Sequence, residues 1–484
     1  MGKVWLSIKN LQTRIVRATD DERLWLREYL QFSDTTRRHR AKDGSNAVSM
    51  LNVFSDTFPT GLLPVVLTAA EREGIPIETQ DGRVVPCTAD TNADLGWLYP
   101  YQRRAVDIIV GAKRGILWCP TGSGKTEIAI GVTRALPTQW LFLVHRANLA
   151  EQARKRYEQR SPGLRAGFIG EGTWDVPDGT SFVCATFQTI AARLKQGDTR
   201  TIELVENAKA LMVDECHTLP SDTYWRVSMQ AKNAYFRVGL SATPLARGDR
   251  KTLLAIASLG PVVYRIKTQS LIKKGKLAKP TVRVVEMQHG VVHKPTWQGV
   301  YSEAIVRNTQ RNNKIVRIAV RAAKPGFLFV TQVKHGKLLE KMLWKAGVKA
   351  KFVWGAQAPQ AREALVRQLV LGQYDVLVTS VVFQEGIDVP ELRSVIVGSG
   401  GKSIIAALQR IGRGMRVDRN ADGSVADGGD TFEVWDIEDI GCGCKVHSEQ
   451  GMHNGCKWLE AHTKIRTHAY AAEEYETFAV QLIT

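Results

Sequence analysis

The chain has 484 residues, 44% of them hydrophobic and 24% charged, and its 66 Lys+Arg against 48 Asp+Glu give a formal charge of +18. That composition excludes a disordered chain and leaves apolar material for about three domains. The longest apolar runs, such as Trp140-Leu-Phe-Leu-Val144, are far shorter than the roughly 20 residues of a membrane span, so no membrane partner is expected.

The positive excess favours a polyanion, nucleic acid first. Residues 1–7 hold no apolar leader, and Leu6 stands where myristoylation wants Ser or Thr. A soluble, cytoplasmic protein is expected, in the host cytoplasm if the source is viral. Of the seven cysteines, Cys87, Cys119, Cys184 and Cys216 are scattered, the last three in or beside strand-like runs. They read as reduced thiols.

Residues 1–93 read as a small α+β unit: Val4–Ile8 alternates like a strand, Thr19-Asp-Asp-Glu22 opens a helix, and Leu62 to Glu73 reads as a second helix with Pro64 in its first turn. Within 94–270, strand-like runs alternate with helical stretches at Gly115–Cys119, Leu141–Val144, Phe182–Ala185, Leu211–Val213 and Arg237–Leu240. That rhythm belongs to a parallel sheet with crossover helices. The basic, punctuated run Lys273-Lys-Gly-Lys-Leu-Ala-Lys-Pro280 marks a boundary, and the second α/β domain is set at 271–440. Its strands are expected at Phe327–Val330, Lys351–Val353, Val376–Thr379, Ser394–Val397 and Thr431–Trp435, with a loop over 420–430. Residues 441–484 form a C-terminal extension. The basic runs Arg37–Lys42 and Lys273–Lys279 read equally as nucleic-acid contacts or as solvated surface.

Pro120-Thr-Gly-Ser-Gly-Lys-Thr126 lies between a strand and a helix, the setting a P-loop requires. Thr121, Gly122, Ser123 and Gly124 would wrap the phosphates of ATP with backbone N–H groups. Lys125 would reach the β- and γ-phosphates and Thr126 would ligate Mg2+. The strict pattern has Gly where this chain has Cys119. In Leu211-Met-Val-Asp-Glu-Cys-His217 an apolar strand ends in two acids. Asp214 would hold the Mg2+ shell, and Glu215 would orient or deprotonate the attacking water, at the tip of a strand neighbouring the P-loop.

Taken in order, these motifs and those that follow resemble the superfamily 2 DEAD/DEAH-type helicases, over about 97–435. The nearest groups are the XPB-type and RecG-neighbouring DNA-repair helicases and the UvsW-type phage branch-migration helicases. Tyr99-Pro-Tyr-Gln102 resembles the element that reads adenine, with Gln102 as reader. Val144-His-Arg146 and Ala185-Thr-Phe-Gln188 resemble the motifs that touch the nucleic-acid backbone, which assigns His145, Arg146 and Thr186 that role. Ser241-Ala-Thr-Pro244 resembles the coupling motif, with His217, Ser241 and Thr243 linking hydrolysis to strand movement. Phe327-Leu-Phe-Val330 resembles the next motif in order. Thr379 through Gln384-Glu-Gly-Ile-Asp388 would place Thr379 on nucleic acid and Gly386 and Asp388 on the nucleotide's sugar. Gln409-Arg-Ile-Gly-Arg-Gly-Met-Arg416 would bring Gln409 to the water and Arg413 and Arg416 to the γ-phosphate as arginine fingers.

The resemblance implies an α/β fold of two tandem RecA-like parallel-sheet domains, preceded by the small α+β accessory unit as a DNA-binding candidate. It implies an ATP-dependent DNA helicase or translocase, acting as a monomer on single-stranded, forked or branched DNA in repair, recombination or replication. An RNA helicase of the same superfamily, a restriction-type DNA translocase subunit and a clamp without turnover are the rivals. Intact Lys125, Asp214, Glu215, Arg413 and Arg416 argue against the last. Cys442, Cys444, His447, His453 and Cys456 cluster in the C-terminal extension. They could supply a four-ligand Zn2+ site, although C-x-C is tighter than the usual finger spacing, and they read as well as a loop of free thiols.

Overall fold

The computed structural model describes residues 3–33, 47–244, 252–380 apart from 293, 295 and 356, then 389, 391–401, 411–412, 415, 417–419, 424–426, 428–441 and 454–482. They fall into two compact units, one of residues 1–120 and 124–266, the other of residues 121–123 and 267–484. No helix among the described residues is long and apolar enough to cross a membrane.

The first unit opens with a four-stranded sheet. The hairpin Val4–Ile8 and Gln12–Arg17 is extended by Thr57–Pro59 on one side and, in parallel, by Ile77–Asp81 on the other. Helix Asp20–Tyr29 starts where the acidic run foretold. The Thr19 hydroxyl accepts from Glu22 N, and the Glu22 carboxylate accepts from Thr19 N at 2.7 Å, so two orphan donors of the first turn are satisfied. Helix Leu63–Glu73 ends at Gly74, whose φ of 69° is the left-handed cap glycine favours.

The core of this sheet, Val4, Leu6, Ile15, Phe58, Leu62 and Val66, also takes in Ala257 from a helix almost two hundred residues later, Thr252–Leu259. A side chain at Gly61 would collide with the backbone carbonyls of Ile256 and Ala257, so backbone meets backbone there. The N-terminal sheet and the sheet that follows therefore share one compact unit.

That second sheet has eight strands, in the order Thr173–Asp175, Gly167–Gly170, Phe182–Thr186, Trp140–Val144, Ala210–Asp214, Phe236–Ser241, Arg114–Trp118 and Val262–Arg265. All pair in parallel except Thr173–Asp175. Four central strands are buried on both faces, which explains why the sequence shows continuous apolar runs rather than alternation. Parallel pairing brings the carboxyl ends of the other strands to one edge, where α/β proteins bind ligands.

The second unit holds a seven-stranded, all-parallel sheet in the order Ala350–Val353, Val376–Thr379, Gly326–Phe329, Ser394–Val397, Thr431–Ile440, Lys279–Gln288 and Glu476–Ala479. The basic run set as the boundary, Lys273–Pro280, is thus the end of helix Thr268–Lys273, a short turn and the start of a ten-residue strand. The unit begins at Lys267, a few residues before the boundary set from sequence. The last strand of the sequence-based set extends to Ile440, because Thr431–Ile440 pairs along its full length with Lys279–Gln288.

His335 sits fully buried in this unit, and its Nε2 donates to Asn312 Oδ1 at 2.8 Å. Burial, reinforced by the charge of Arg311, pushes its pKa down to about 3. An unfolded chain has histidine near about 6.5, so between those values the unfolded state binds the extra proton and folding loses stability as pH falls. Between pH 7 and 5.5 this costs about 1 kcal/mol. His335→Gln, which keeps a donor for Asn312, is expected to lose that much less than the wild type over the same interval. Urea midpoints at the two pH values measure it, and identical pH dependence in both proteins would refute it.

Candidate active site

The Arg114–Trp118 strand leads through Cys119 and Pro120 into the glycine-rich loop, and the loop opens helix Lys125–Ala135. Gly122 and Gly124 take φ of 83° and 79°, which ordinary side chains avoid. Cys119 is not among the residues with positive φ; it is fully buried, and its N–H donates to Ser241 O at 2.8 Å. The loop therefore needs no glycine at that position, and the departure from the strict pattern costs nothing in backbone geometry. Burial pushes the Cys119 thiol up to about 12, so it is not a nucleophile.

Lys125 pairs with Glu215 across the site. Burial alone would weaken the charge of both, yet each stabilises the other: the Lys125 pKa rises, and Lys125 and His217 hold the Glu215 carboxyl well below the usual range. The acid pair does not lie on the strand next to the P-loop strand, as the sequence suggested. Phe236–Ser241 runs between them, and it carries Ser241 to the same edge.

Asp214 differs from Glu215. Its pKa is raised, chiefly by burial. Its Oδ1 is buried and meets no hydrogen-bond partner among the described residues. A carboxylate oxygen left in that condition fits a hard cation, which prefers oxygen ligands and would repay the desolvation. His145, at the end of Trp140–Val144, stands close enough to Asp214 to favour its charged form.

Glu215 itself has φ 48° and ψ 50°, a left-handed conformation rare for a non-glycine residue. Thr218 holds it, with both its N–H and its hydroxyl donating to Glu215 O at 3.0 and 2.9 Å. Strain of this kind costs of order 1–3 kcal/mol and concentrates at functional sites. Here it turns the carboxylate back towards Lys125. Cys216 beside it lies fully buried against Gly239, where a side chain would meet its sulfur at 3.0 Å.

The structure brings His217, Ser241 and Thr243 together. His217 Nδ1 is 3.3 Å from Glu215 Oε2 and 3.0 Å from Ser241 Oγ, and Ser241 Oγ accepts from Thr243 N at 3.1 Å. A continuous polar path thus runs from Lys125 through Glu215, His217 and Ser241 to the start of the segment after the strand. Gln102 is buried on helix Pro100–Ala112; its Oε1 accepts from Tyr99 N at 2.9 Å, and its amide crowds Gly124 so closely that a side chain there would collide with it. Tyr99 and Tyr101 stack beside it with centroids 6.0 Å apart. The tyrosines sat inside the quoted motif but carried no separate signal.

The residues assigned to nucleic acid are less uniform. Arg146 is the N-cap of helix Ala147–Arg160. The Thr186 hydroxyl caps the next helix, accepting from Thr189 N, and Thr379 is fully buried with its hydroxyl donating to Ser380 O at 3.0 Å. Both threonine hydroxyls are thus engaged by the fold itself. Gly386, Asp388, Gln409, Arg413 and Arg416 lie outside the described residues, as do Cys442, Cys444, His447 and His453, together with the side chain of Cys456. Among the described residues no group of three or more His, Cys, Asp or Glu is placed to hold a metal.

The sequence pattern of the type III restriction enzyme res subunit matches residues 96–246, and that of the helicase conserved C-terminal domain matches residues 310–418. Together they span more than half of the chain and enclose the P-loop, the acid pair and the arginine motif in order. The chain belongs to the superfamily 2 helicases. The helicase is an ATP-dependent enzyme by that membership.

It is similar to the DNA 3'-5' translocase XPB2 of Sulfurisphaera tokodaii, at 28% identity over 66% of this chain and 78% of that one. The ATP-dependent DNA helicase uvsW of Enterobacteria phage T4 is 24% identical over 78% of this chain and 75% of its own length. Other curated relatives are longer, and the helicase spans only 50% of some of them. In fold it is similar to S. cerevisiae Dbp5 bound to RNA and ADP BeF3, with 16% identity, a TM-score of 0.52, and coverage of 79% of this chain and 89% of that one. That likeness supports the tandem RecA-like architecture and nothing finer.

Proposed function

We propose that the helicase hydrolyses ATP at the Lys125–Glu215 site to translocate on, and remodel, forked or branched DNA. The observation that carries the ATP reading is the arrangement of the acid pair at the loop: Glu215 pairs with Lys125, and beside it Asp214 keeps a buried oxygen without a hydrogen-bond partner among the described residues. Asp214 and Thr126 would hold Mg2+, which when bound neutralises phosphate charge. Gly122 and Gly124 let backbone N–H groups of the loop face the phosphates, and Lys125 leaves Glu215 for the β- and γ-phosphates. Glu215, released, is free to take a proton from the attacking water. By the family resemblance, Gln409 places that water, and Arg413 and Arg416 supply positive charge to the transition state.

The DNA reading is supported by the relatives named as DNA translocase and DNA helicase, and by the formal charge of +18. Backbone contacts of this kind should be tolerant of sequence and sensitive to salt. Steady-state ATPase activity without nucleic acid, with single-stranded DNA, with a four-way junction and with RNA tests it. Stimulation is expected with DNA, strongest with the junction, and absent in Glu215→Gln. Stimulation by RNA alone would replace this reading with an RNA helicase, and no turnover under any condition would overturn the motor.

A further inference from the structure

The turn after strand Ser394–Val397, residues 398–401, continues in sequence directly into 402–416, the segment with Gln409, Arg413 and Arg416. Two buried guanidinium groups hold its two ends. Arg311 Nη1 donates to Gly398 O at 2.7 Å, and Arg466 Nη1 donates to Gly401 O at 2.8 Å. Both arginines are anchored on the strand Thr431–Ile440. Arg311 bonds Asp439 through Nε at 2.8 Å and Nη2 at 3.2 Å, and Arg466 Nε bonds Asp436 Oδ2 at 2.8 Å. All four side chains are no more than 2% exposed.

The acids are fixed in turn. His289 Nε2 donates to Asp439 Oδ1 at 2.8 Å and the Tyr470 hydroxyl to Asp436 Oδ2 at 2.8 Å. The turn is shaped to rest on this network. Gly400 and Gly401 have φ of 58° and 91°, and a side chain at Gly398 would press on Leu328 at 2.9 Å.

Such burial is poorly explained by stability alone. Desolvating two ion pairs costs roughly what their attraction returns, and apolar residues of similar size would pack the helix Asn454–Ala472 and the helix Thr309–Arg321 as well. What apolar residues could not do is donate to two carbonyls at opposite ends of one turn. A guanidinium can serve an acid and a carbonyl at once because its donors form a rigid fork.

We propose that Arg311 and Arg466 are positioning residues for ATP hydrolysis, fixing the origin of the segment that carries Gln409, Arg413 and Arg416. The assignment rests on the role given to those three residues under the proposed function.

Arg311→Lys and Arg466→Lys test it, since each keeps the charge facing its aspartate but loses the fork. Each is expected to lower kcat for ATP in the folded protein by about 10–10²-fold, the scale on which small misplacements of catalytic groups act, with KM for ATP near the wild-type value and a lowered thermal midpoint, because one ammonium group leaves a buried acceptor unpaired. Gly401→Ala disturbs the same turn with both arginines intact, through a φ that alanine avoids, and is expected to reproduce the loss of kcat. A lowered midpoint with kcat unchanged in the folded protein would reduce the network to a structural one and overturn the proposal. So would unchanged kcat in Gly401→Ala, the variant that decides if the lysine variants fail to fold. Arg413→Ala, run in parallel, separates the two readings. If it leaves turnover intact, the arginine-finger assignment fails and this inference falls with it. If it abolishes turnover while the lysine variants stay at wild-type kcat, only the positioning role is refuted.

Discussion

Glu215→Gln is expected to slow ATP turnover by about 10²–10⁴-fold, the range general-base catalysis supplies, while ATP binding is kept or tightened. The direction of the binding effect follows from the ion pair. Lys125 is held by Glu215, and a phosphate must displace that carboxylate to reach the ammonium group. Gln has the same shape and can still accept from Lys125, yet it carries no charge to compete with the phosphate and cannot take a proton from water. Because the left-handed backbone at Glu215 is set by Thr218 and not by the carboxylate, the loop should keep its course in the variant. Equilibrium binding of a fluorescent ATP analogue and single-turnover hydrolysis measure the two effects separately. Turnover within about threefold of wild type would remove Glu215 from the chemistry. A loss of binding equal to the loss of turnover would instead mean that the residue only shapes the site.

The second large effect is structural. Arg237 lies on the strand that delivers Ser241, has no ion-pair partner among the described residues, and is fully buried. Burial lowers its pKa to about 10, which leaves it charged at neutral pH. Its guanidinium is satisfied by carbonyls. Nε donates to Ala234 O at 3.3 Å, Nη1 to Ser228 O at 3.1 Å and Ser258 O at 3.4 Å, and Nη2 to Ala231 O. These acceptors belong to the end of helix Asp222–Gln230, the turn after it, and helix Thr252–Leu259.

Arg237→Met fills much of the space but strands those acceptors. Each buried orphan costs about 1–3 kcal/mol, and relief of the buried charge offsets only part of the sum. The net loss is expected to be about 3–5 kcal/mol, comparable with breaking a buried ion pair. Arg237→Lys should recover less than half, because one ammonium group cannot span acceptors on three segments. Denaturant unfolding of the three proteins checks this, and a methionine variant within about 1 kcal/mol of wild type would show that the carbonyls find water or one another.

Much of this was legible in the sequence because the decisive signals are local. The strands at Val376–Thr379 and Ser394–Val397 are short apolar runs between polar segments, and they occur as read. The P-loop and the acid pair are contiguous in sequence, so residue identity nearly fixes their chemistry. The less apolar outer strands escaped. Glu476–Ala479 is exposed throughout and pairs only because Lys279–Gln288 offers it an edge, which no pattern within Glu-Thr-Phe-Ala could announce. Lys279–Gln288 itself was hidden by the basic run before it and by Pro280.

The same holds at the site. Nothing in Asp214-Glu-Cys-His217 predicts a left-handed Glu215, and the bond from Cys119 N to Ser241 O joins residues that are distant in sequence. The Arg311–Asp439 pair is further apart still in sequence. Its halves look, one at a time, like an ordinary basic helix face and an acidic strand end.

The contact of Gly61 with the carbonyls of helix Thr252–Leu259 has a consequence for engineering and for descent. Because a bare backbone position on one partner faces bare carbonyls on the other, no compensating pair of side chains can absorb a mismatch between them. The N-terminal sheet is therefore not an interchangeable cartridge. Grafting it onto another motor would require this helix to travel with it, and lineages that exchanged the one without the other would have lost both.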